Sequence, residues 1–170
     1  MSLYNQEKTQ IAENCFDYLF MEMVHFFSDI DNNNEKEKEL KNSKLEQMGY
    51  LTGQSLAERL TQDRSRFTDN LDVIKFVCKD FWSTIFKKQV DNLKTNHKGT
   101  YVLTDNNFKW FSKMSSNKGP EDFKKEVLPY LNFPCGIIRG VLSNLGINCT
   151  VLADVNPPNQ CIFQIKTIKS

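Results

Sequence analysis

Cysteine, histidine and carboxylate side chains are where this chain could do chemistry, and the strongest arrangement would be a thiol nucleophile with an imidazole base, Cys78 with His97. Cys78, however, falls on the apolar stripe of a helical pattern, where a free cysteine behaves as a small core residue. His97, within Thr95-Asn96-His97-Lys98-Gly99, reads as a helix-terminus residue that interacts favourably with the C-terminal dipole. Glu22, Asp72 and Asp80 are single carboxylates on helices and form no recognisable acid/base pair. His25 has no second ligand spaced near it that would make a metal or haem site. The five cysteines, at 15, 78, 135, 149 and 161, contain no CxxC pair and no metal spacing with either histidine, so they read as reduced, mostly buried thiols. Neither a P-loop nor a GxGxxG fingerprint occurs. The expectation is a chain that is not an enzyme, with no catalytic, metal or cofactor-binding residues and no cofactor.

The elements that would position these side chains are legible from apolar spacing. Over residues 10–27, Ile11, Cys15, Leu19, Met23 and Phe26 recur at helical intervals beside a stripe of Phe16, Phe20, Val24 and Phe27, a helix with a wide apolar face. Residues 29–41 are low in complexity and almost free of apolar residues, and are expected to form a mobile acidic loop. Ser43 followed by Glu46 spells a capping box and announces a second helix, with Leu45, Met48, Thr52, Leu56 and Leu60 on one side. Gly49 and Gly53 lie on that side too, where each costs the helix about 1 kcal/mol against alanine, a choice that makes sense if another helix approaches closely.

Asp69 can cap a third helix running to about residue 93. After Gly99, the runs 100–103 and 108–111 flank Thr104-Asp105-Asn106-Asn107 in the manner of a hairpin. Residues 112–119 read as loop, and a short helix follows Pro120 and ends near Pro129. Pro134 sits in the first turn of a helix that Gly146 closes. Two alternating runs around Asn156-Pro157-Pro158-Asn159 make a last hairpin. The fold class expected is α+β: N-terminal packed helices with a small antiparallel sheet of two hairpins and a helix between them, all in one domain over 1–170.

Composition agrees with that size. Hydrophobic residues make up 39% and charged residues 25%, with 13 phenylalanines, enough to fill one core. The net charge of +1 conceals polarity: residues 1–60 carry 6 basic against 11 acidic side chains, and residues 84–125 carry 9 against 4. That dispersed basic stretch, centred on Lys87, Lys88, Lys94, Lys98, Lys109 and Lys113, faces an acidic neighbour, an anionic membrane surface or only solvent. It is too weak for a nucleic-acid footprint, so no nucleic-acid partner is expected. The N-terminus lacks the pattern of a signal peptide and no apolar run is long enough to span a membrane, which leads to an expectation of a cytoplasmic protein.

Several segments resemble the small-subunit family of the transport protein particle (TRAPP), specifically its sixth-subunit branch. They are Phe16-Asp17-Tyr18-Leu19 with Glu22-Met23-Val24, the stretch from Met48-Gly49-Tyr50-Leu51-Thr52-Gly53-Gln54 to Leu60, Cys78-Lys79-Asp80-Phe81-Trp82, Lys88-Gln89-Val90-Asp91, Thr95 to Leu103, and Cys135-Gly136-Ile137-Ile138-Arg139-Gly140. The resemblance implies packed helices with an antiparallel sheet, in a scaffold subunit that heterodimerises with the acylated sister among the other small subunits. It also implies an assembly that tethers vesicles and activates a Rab GTPase in endoplasmic reticulum to Golgi transport, with any membrane contact peripheral. The acylated relative carries its modified cysteine just before the third helix, near Arg64 here, yet residues 61–70 contain no cysteine. A stand-alone lipid-binding module is the competing reading. The partner interface is expected on the first two helices, at Leu19, Met23, Phe26, Leu45, Met48, Gly49, Thr52, Gly53 and Leu56. The same stripes could instead close this chain's own core.

Overall fold

The computed structural model describes residues 13–28, 35–111, 114, 119–156 and 159–168. Helix α1 spans Glu13–Ser28 and α2 spans Glu35–Thr61. The expected loop therefore needs correcting: residues 35–41 are the first turns of α2, and Ser43 lies inside the helix rather than at its cap. Glutamate and lysine are good helix formers, and extending a helix already held by packing costs far less than nucleating one. Residues 29–34 fall outside the described residues.

Asp69 does cap the third helix, its Oδ1 accepting from the Asp72 N–H at 2.7 Å. That element is α3, Asn70–Phe76, which widens into a π-helical turn over Val77–Phe81 and continues as α4, Trp82–Phe86. It stops at Lys87, whose φ of 61° is left-handed, and so ends well short of residue 93. Leu93 lies instead on β1, Asn92–Thr95, which pairs antiparallel with β2, Thr100–Asp105.

The first hairpin is thus one strand earlier than its sequence suggests. Asn96 closes its turn by accepting from the N–H groups of Lys98 and Thr100 at 2.9 and 3.0 Å, and Gly99 supplies a φ of 93°. Phe108, Trp110 and Phe111 are not a strand, because Lys109–Phe111 is a 3₁₀ turn that sends all three rings inward. A strand would have put alternate rings on opposite faces. Of the expected loop at 112–119, only residues 114 and 119 are described.

Helix α5, Pro120–Val127, passes through a 3₁₀ turn at Leu128–Leu131 into α6, Asn132–Asn144. Gly146 ends α6 with a φ of 85°, its N–H donating to Ser143 O while Ile147 N–H reaches Leu142 O at 2.8 Å. Strands β3, Cys149–Asn156, and β4, Gln160–Thr167, complete a four-stranded antiparallel sheet of order β1-β2-β4-β3. The fold is α+β. Helix α6 is buried nearly all round because it packs on α2 with one side and on β3 with another. Aromatic rings connect α1 to the sheet: Phe20 lies 4.8 Å from Trp110, Trp110 4.8 Å from Phe86, and Phe86 4.5 Å from Trp82, which meets Phe163 of β4.

Candidate functional site

The thiols occupy unreactive settings. Burial pushes Cys78 and Cys135 up to about 12 and Cys149 up to about 11, and raises Cys161 further. Since the thiolate is the nucleophile, these four are nearly inert at neutral pH. Cys15 is exposed on α1. Iodoacetamide at pH 8 should therefore label Cys15 within minutes and the other four only after denaturation; peptide mapping checks this, and prompt labelling of Cys78 would contradict it.

His97 is exposed at the tip of the β1–β2 turn with a φ of 57°, not at a helix terminus, while the Cys78 side chain packs against the core from the π-helical turn. Asp80 pairs with Arg64 at 2.8 Å, and Asp72 accepts from the Thr68 N–H in the α3 cap. Among the described residues no group of three or more His, Cys, Asp or Glu side chains could hold a metal ion.

The expected interface residues separate into two sets. Leu45 is 1% exposed and belongs to the core, and Leu56 packs against that core. Gly49 and Gly53 face α6 of the same chain: a Cβ at Gly49 would overlap Phe133 O, and one at Gly53 would overlap Ile137 O. Gly136 and Gly140 return the arrangement from α6, against Glu46 O and Tyr50 O. The close helix approach is thus internal, a correction to its placement at a partner. Leu45 and the two glycines lie turned inward while Met48 and Thr52 are exposed, so α2 carries two faces where the sequence suggested one.

The internal seam is closed by polar contacts along its length. Arg139 forms an ion pair with Glu46 at 2.8 Å and lies 4.6 Å above the Tyr50 ring, and the Tyr50 hydroxyl meets Ser143 Oγ at 2.9 Å. The second glycine pair, spaced by four on α6, was the sequence signal that could have identified the partner of the first.

What remains outward is an apolar surface on α1 and α2. Leu19 and Phe26 are each 66% exposed, Leu51 is 57% exposed, and Tyr18, Leu40 and Met48 are exposed as well. Met23 is half-buried against the core, and α1 is held by Phe20 and Val24. Tyr18, Leu40 and Leu51 were missed because they lie off the stripes chosen from spacing. Burying a side chain of this size contributes about 1.5–3 kcal/mol, so several left in water on adjoining helices favour association.

The basic stretch is only partly available. Lys88 is engaged inside the protein, donating to Asp105 at 2.7 Å and Asp91 at 2.6 Å. Lys87, Lys94 and Lys98 are exposed, and Lys113 falls outside the described residues. Among the described residues no helix is long and apolar enough to cross a membrane.

A family model described as transport protein particle (TRAPP) component matches residues 16–168. Trafficking protein particle complex subunit 6B of Homo sapiens is 53% identical over 123 residues, covering 72% of this chain and 76% of that protein. The subunit 6b of Danio rerio is 44% identical over 153 residues, 90% of this chain and 95% of its own length. Human subunit 6A is 45% identical over 128 residues, or 75% and 79% of the two chains. Among solved structures, trafficking protein particle complex subunit 3 of Naegleria fowleri, covalently bound to palmitic acid, matches with a TM-score of 0.70 over 93% of this chain and 98% of that one; at 17% identity the likeness is one of fold.

Proposed function

This chain belongs to the transport protein particle component family, and we propose that it is a non-catalytic scaffold subunit of the TRAPP tether that heterodimerises with an acylated sister subunit through the outer face of α1 and α2. The observation that carries the reading is the run of exposed apolar side chains, Leu19 and Phe26 on α1 with Met48 and Leu51 on α2, on helices whose inner faces are already satisfied. Thr52 is exposed on the same helix, one turn after Met48. The assembled complex would activate a Rab GTPase in endoplasmic reticulum to Golgi transport, the chain acting in the cytoplasm at the periphery of those membranes.

A scaffold role fits the segment where an acylated relative would carry its cysteine. Arg64 lies near that position, paired with Asp80 and 5.1 and 4.8 Å from the Phe67 and Phe76 rings, and residues 61–70 contain no cysteine that could form a thioester. This favours the scaffold over a stand-alone lipid-binding module.

Replacing Met48 and Leu19 by glutamate tests the interface. Both side chains are exposed, so circular dichroism should show helicity kept, while pairing with the acylated sister by size exclusion should weaken at least a hundredfold, as expected when two apolar contacts of about 1.5–3 kcal/mol each are lost. Undisturbed pairing would remove this face from the assembly.

A further inference from the structure

Strand β3 is an edge of the sheet. Its hydrogen-bond phase follows from the Ile168 N–H, which donates to Asn148 O at 2.8 Å, and from the pairs Thr150↔Lys166, Leu152↔Gln164 and Asp154↔Ile162 that continue the register. Residues of an antiparallel ladder alternate between exchanging both bonds with the neighbour and directing them away. Val151, Ala153 and Val155 therefore aim their N–H and C=O groups at the open side. At Val155 the edge is closed, because its N–H donates to Asp154 Oδ1 at 2.9 Å and that carboxylate is held by Lys124 at 2.6 Å. Among the described residues no group bonds Val151 or Ala153 on that side.

A groove of about 510 Å³ opens beside these two residues. Val151, Leu152 and Ala153 all line it, and since consecutive strand side chains point to opposite faces, it runs along the strand's edge rather than over one face. Leu128 and Leu131 line it from the 3₁₀ turn and Cys135 from α6. Leu152 is 60% exposed and Leu128 is exposed as well, although both are apolar. Of the charged groups lining the groove, Glu46 is neutralised by Arg139, whereas Lys125 is well exposed and only loosely paired with Asp122 at 3.7 Å. The uncompensated charge is positive.

We propose that this edge and groove receive an extended segment of a partner polypeptide, which adds as a fifth strand beside β3, sets apolar side chains against Leu128, Leu131 and Leu152, and places an acidic side chain beside Lys125. Free main-chain donors and acceptors in strand phase select an extended backbone, because a helix has its own amides already bonded and cannot satisfy them. Volumes of this order suit a few side chains. The site uses β3 and the 128–131 turn, not the outer face of α1 and α2, and it does not depend on the pairing proposed for that face.

Selection of unconstrained dodecapeptides from a phage library on the full chain, followed by hydrogen exchange with the enriched peptides made synthetically, tests it. Enriched sequences should alternate apolar residues and carry an acidic one, and binding should slow exchange at the Val151 and Ala153 amides at least tenfold, leaving Thr150 and Leu152, already bonded to β4, little changed. N-methylation of alternate peptide amides should abolish binding. Ala153→Pro removes an edge donor without touching the β3–β4 ladder and should weaken the peptides at least tenfold. Leu152→Glu, which leaves the backbone alone, should do the same should the proline variant fold poorly. The proposal is overturned if no sequence is enriched, if N-methylated peptides bind equally well, or if protection at Val151 and Ala153 rises with protein concentration alone, which would assign the edge to a second copy of this chain.

Discussion

Gly53→Ala is expected to destabilise the protein by about 1–3 kcal/mol, although alanine is the better helix former by about 1 kcal/mol. The added Cβ would overlap the carbonyl oxygen of Ile137 and press on the Ile137 Cα at 3.0 Å, and these are backbone atoms of a helix that is itself buried. Rigid backbone cannot rotate aside as a side-chain tip can, so α2 and α6 must separate, loosening the Glu46–Arg139 and Tyr50–Ser143 contacts along the seam. Gly140→Ala, against Tyr50 O, should behave alike, and because both changes separate the same two helices, the double variant should cost less than the sum. Ser55→Ala, on the exposed side of α2, is the control and should stay within about 0.5 kcal/mol of the parent. Urea denaturation measures all four; a Gly53→Ala protein as stable as the parent would mean that the helices are not in backbone contact.

That seam marks the boundary of what could be read from the residues. Regular spacing disclosed α1, α2, α6 and the β3–β4 hairpin as elements, and on the two strands apolar period and burial also coincide: Cys149, Val151 and Val155 alternate inward on β3, and Cys161, Phe163 and Ile165 on β4. The errors fell where local pattern and tertiary role part. Asn92–Thr95 shows little β signature, since it is a short strand at the sheet's edge with no buried residue, and it becomes a strand only by pairing with β2. Phe108, Trp110 and Phe111 look like strand residues, but the Asn107 N–H donating to Asp105 Oδ1 starts a turn that delivers all three rings into one core.

The candidate surface was half legible for a related reason. Spacing says that Leu45, Met48, Thr52 and Leu56 are near one another on α2, but not which are turned inward. That is decided by α6, 80 or so residues further on in the chain, whose glycines draw α2 against it and leave Met48 and Leu51 outside. On α1 the aromatic contacts of Phe20 with Trp110, Tyr130 and Phe133 fix the helix by one face, and Leu19 and Phe26 follow to the other. An excess of apolar residues was visible in the sequence; its division between core and exposed surface needed the long-range packing.

Lys88→Met should be more damaging than the glycine change, at about 3–5 kcal/mol, because it strands a charge. Asp105 is fully buried, and its carboxylate accepts from Lys88 Nζ at 2.7 Å, from the Trp82 indole N–H at 2.9 Å and from the Asn107 N–H at 3.0 Å. Lys88 alone neutralises it among these partners, and the same ammonium holds Asp91, which also accepts from the Asn106 N–H at 2.7 Å. Burial disfavours the Lys88 charge, but its hydrogen bonds to Asp105 and Asp91 outweigh that cost and raise its pKa above the ordinary lysine value. The hydrogen bond from Lys88, with that from Asn106, holds the Asp91 carboxyl below the usual carboxylate range. A depressed carboxyl contributes stability above its unfolded pKa and loses it as pH falls through the folded value, whereas a raised ammonium contributes below its unfolded pKa and loses it as pH rises through the folded one. The parent should therefore keep this contribution across neutral pH, and the variant should lose the part of the acid-side slope that Asp91 supplies. For a chain of this length the loss corresponds to a fall in Tm of roughly 6–20 °C. Lys88→Met combined with Asp105→Asn removes both charges while keeping an acceptor for Trp82 and Asn107, and should recover most of the stability. Thermal denaturation of both variants between pH 4 and 8 decides the matter: a single variant as stable as the parent, or a double variant no better than the single, would show that the Lys88–Asp105 contact does not hold this site together.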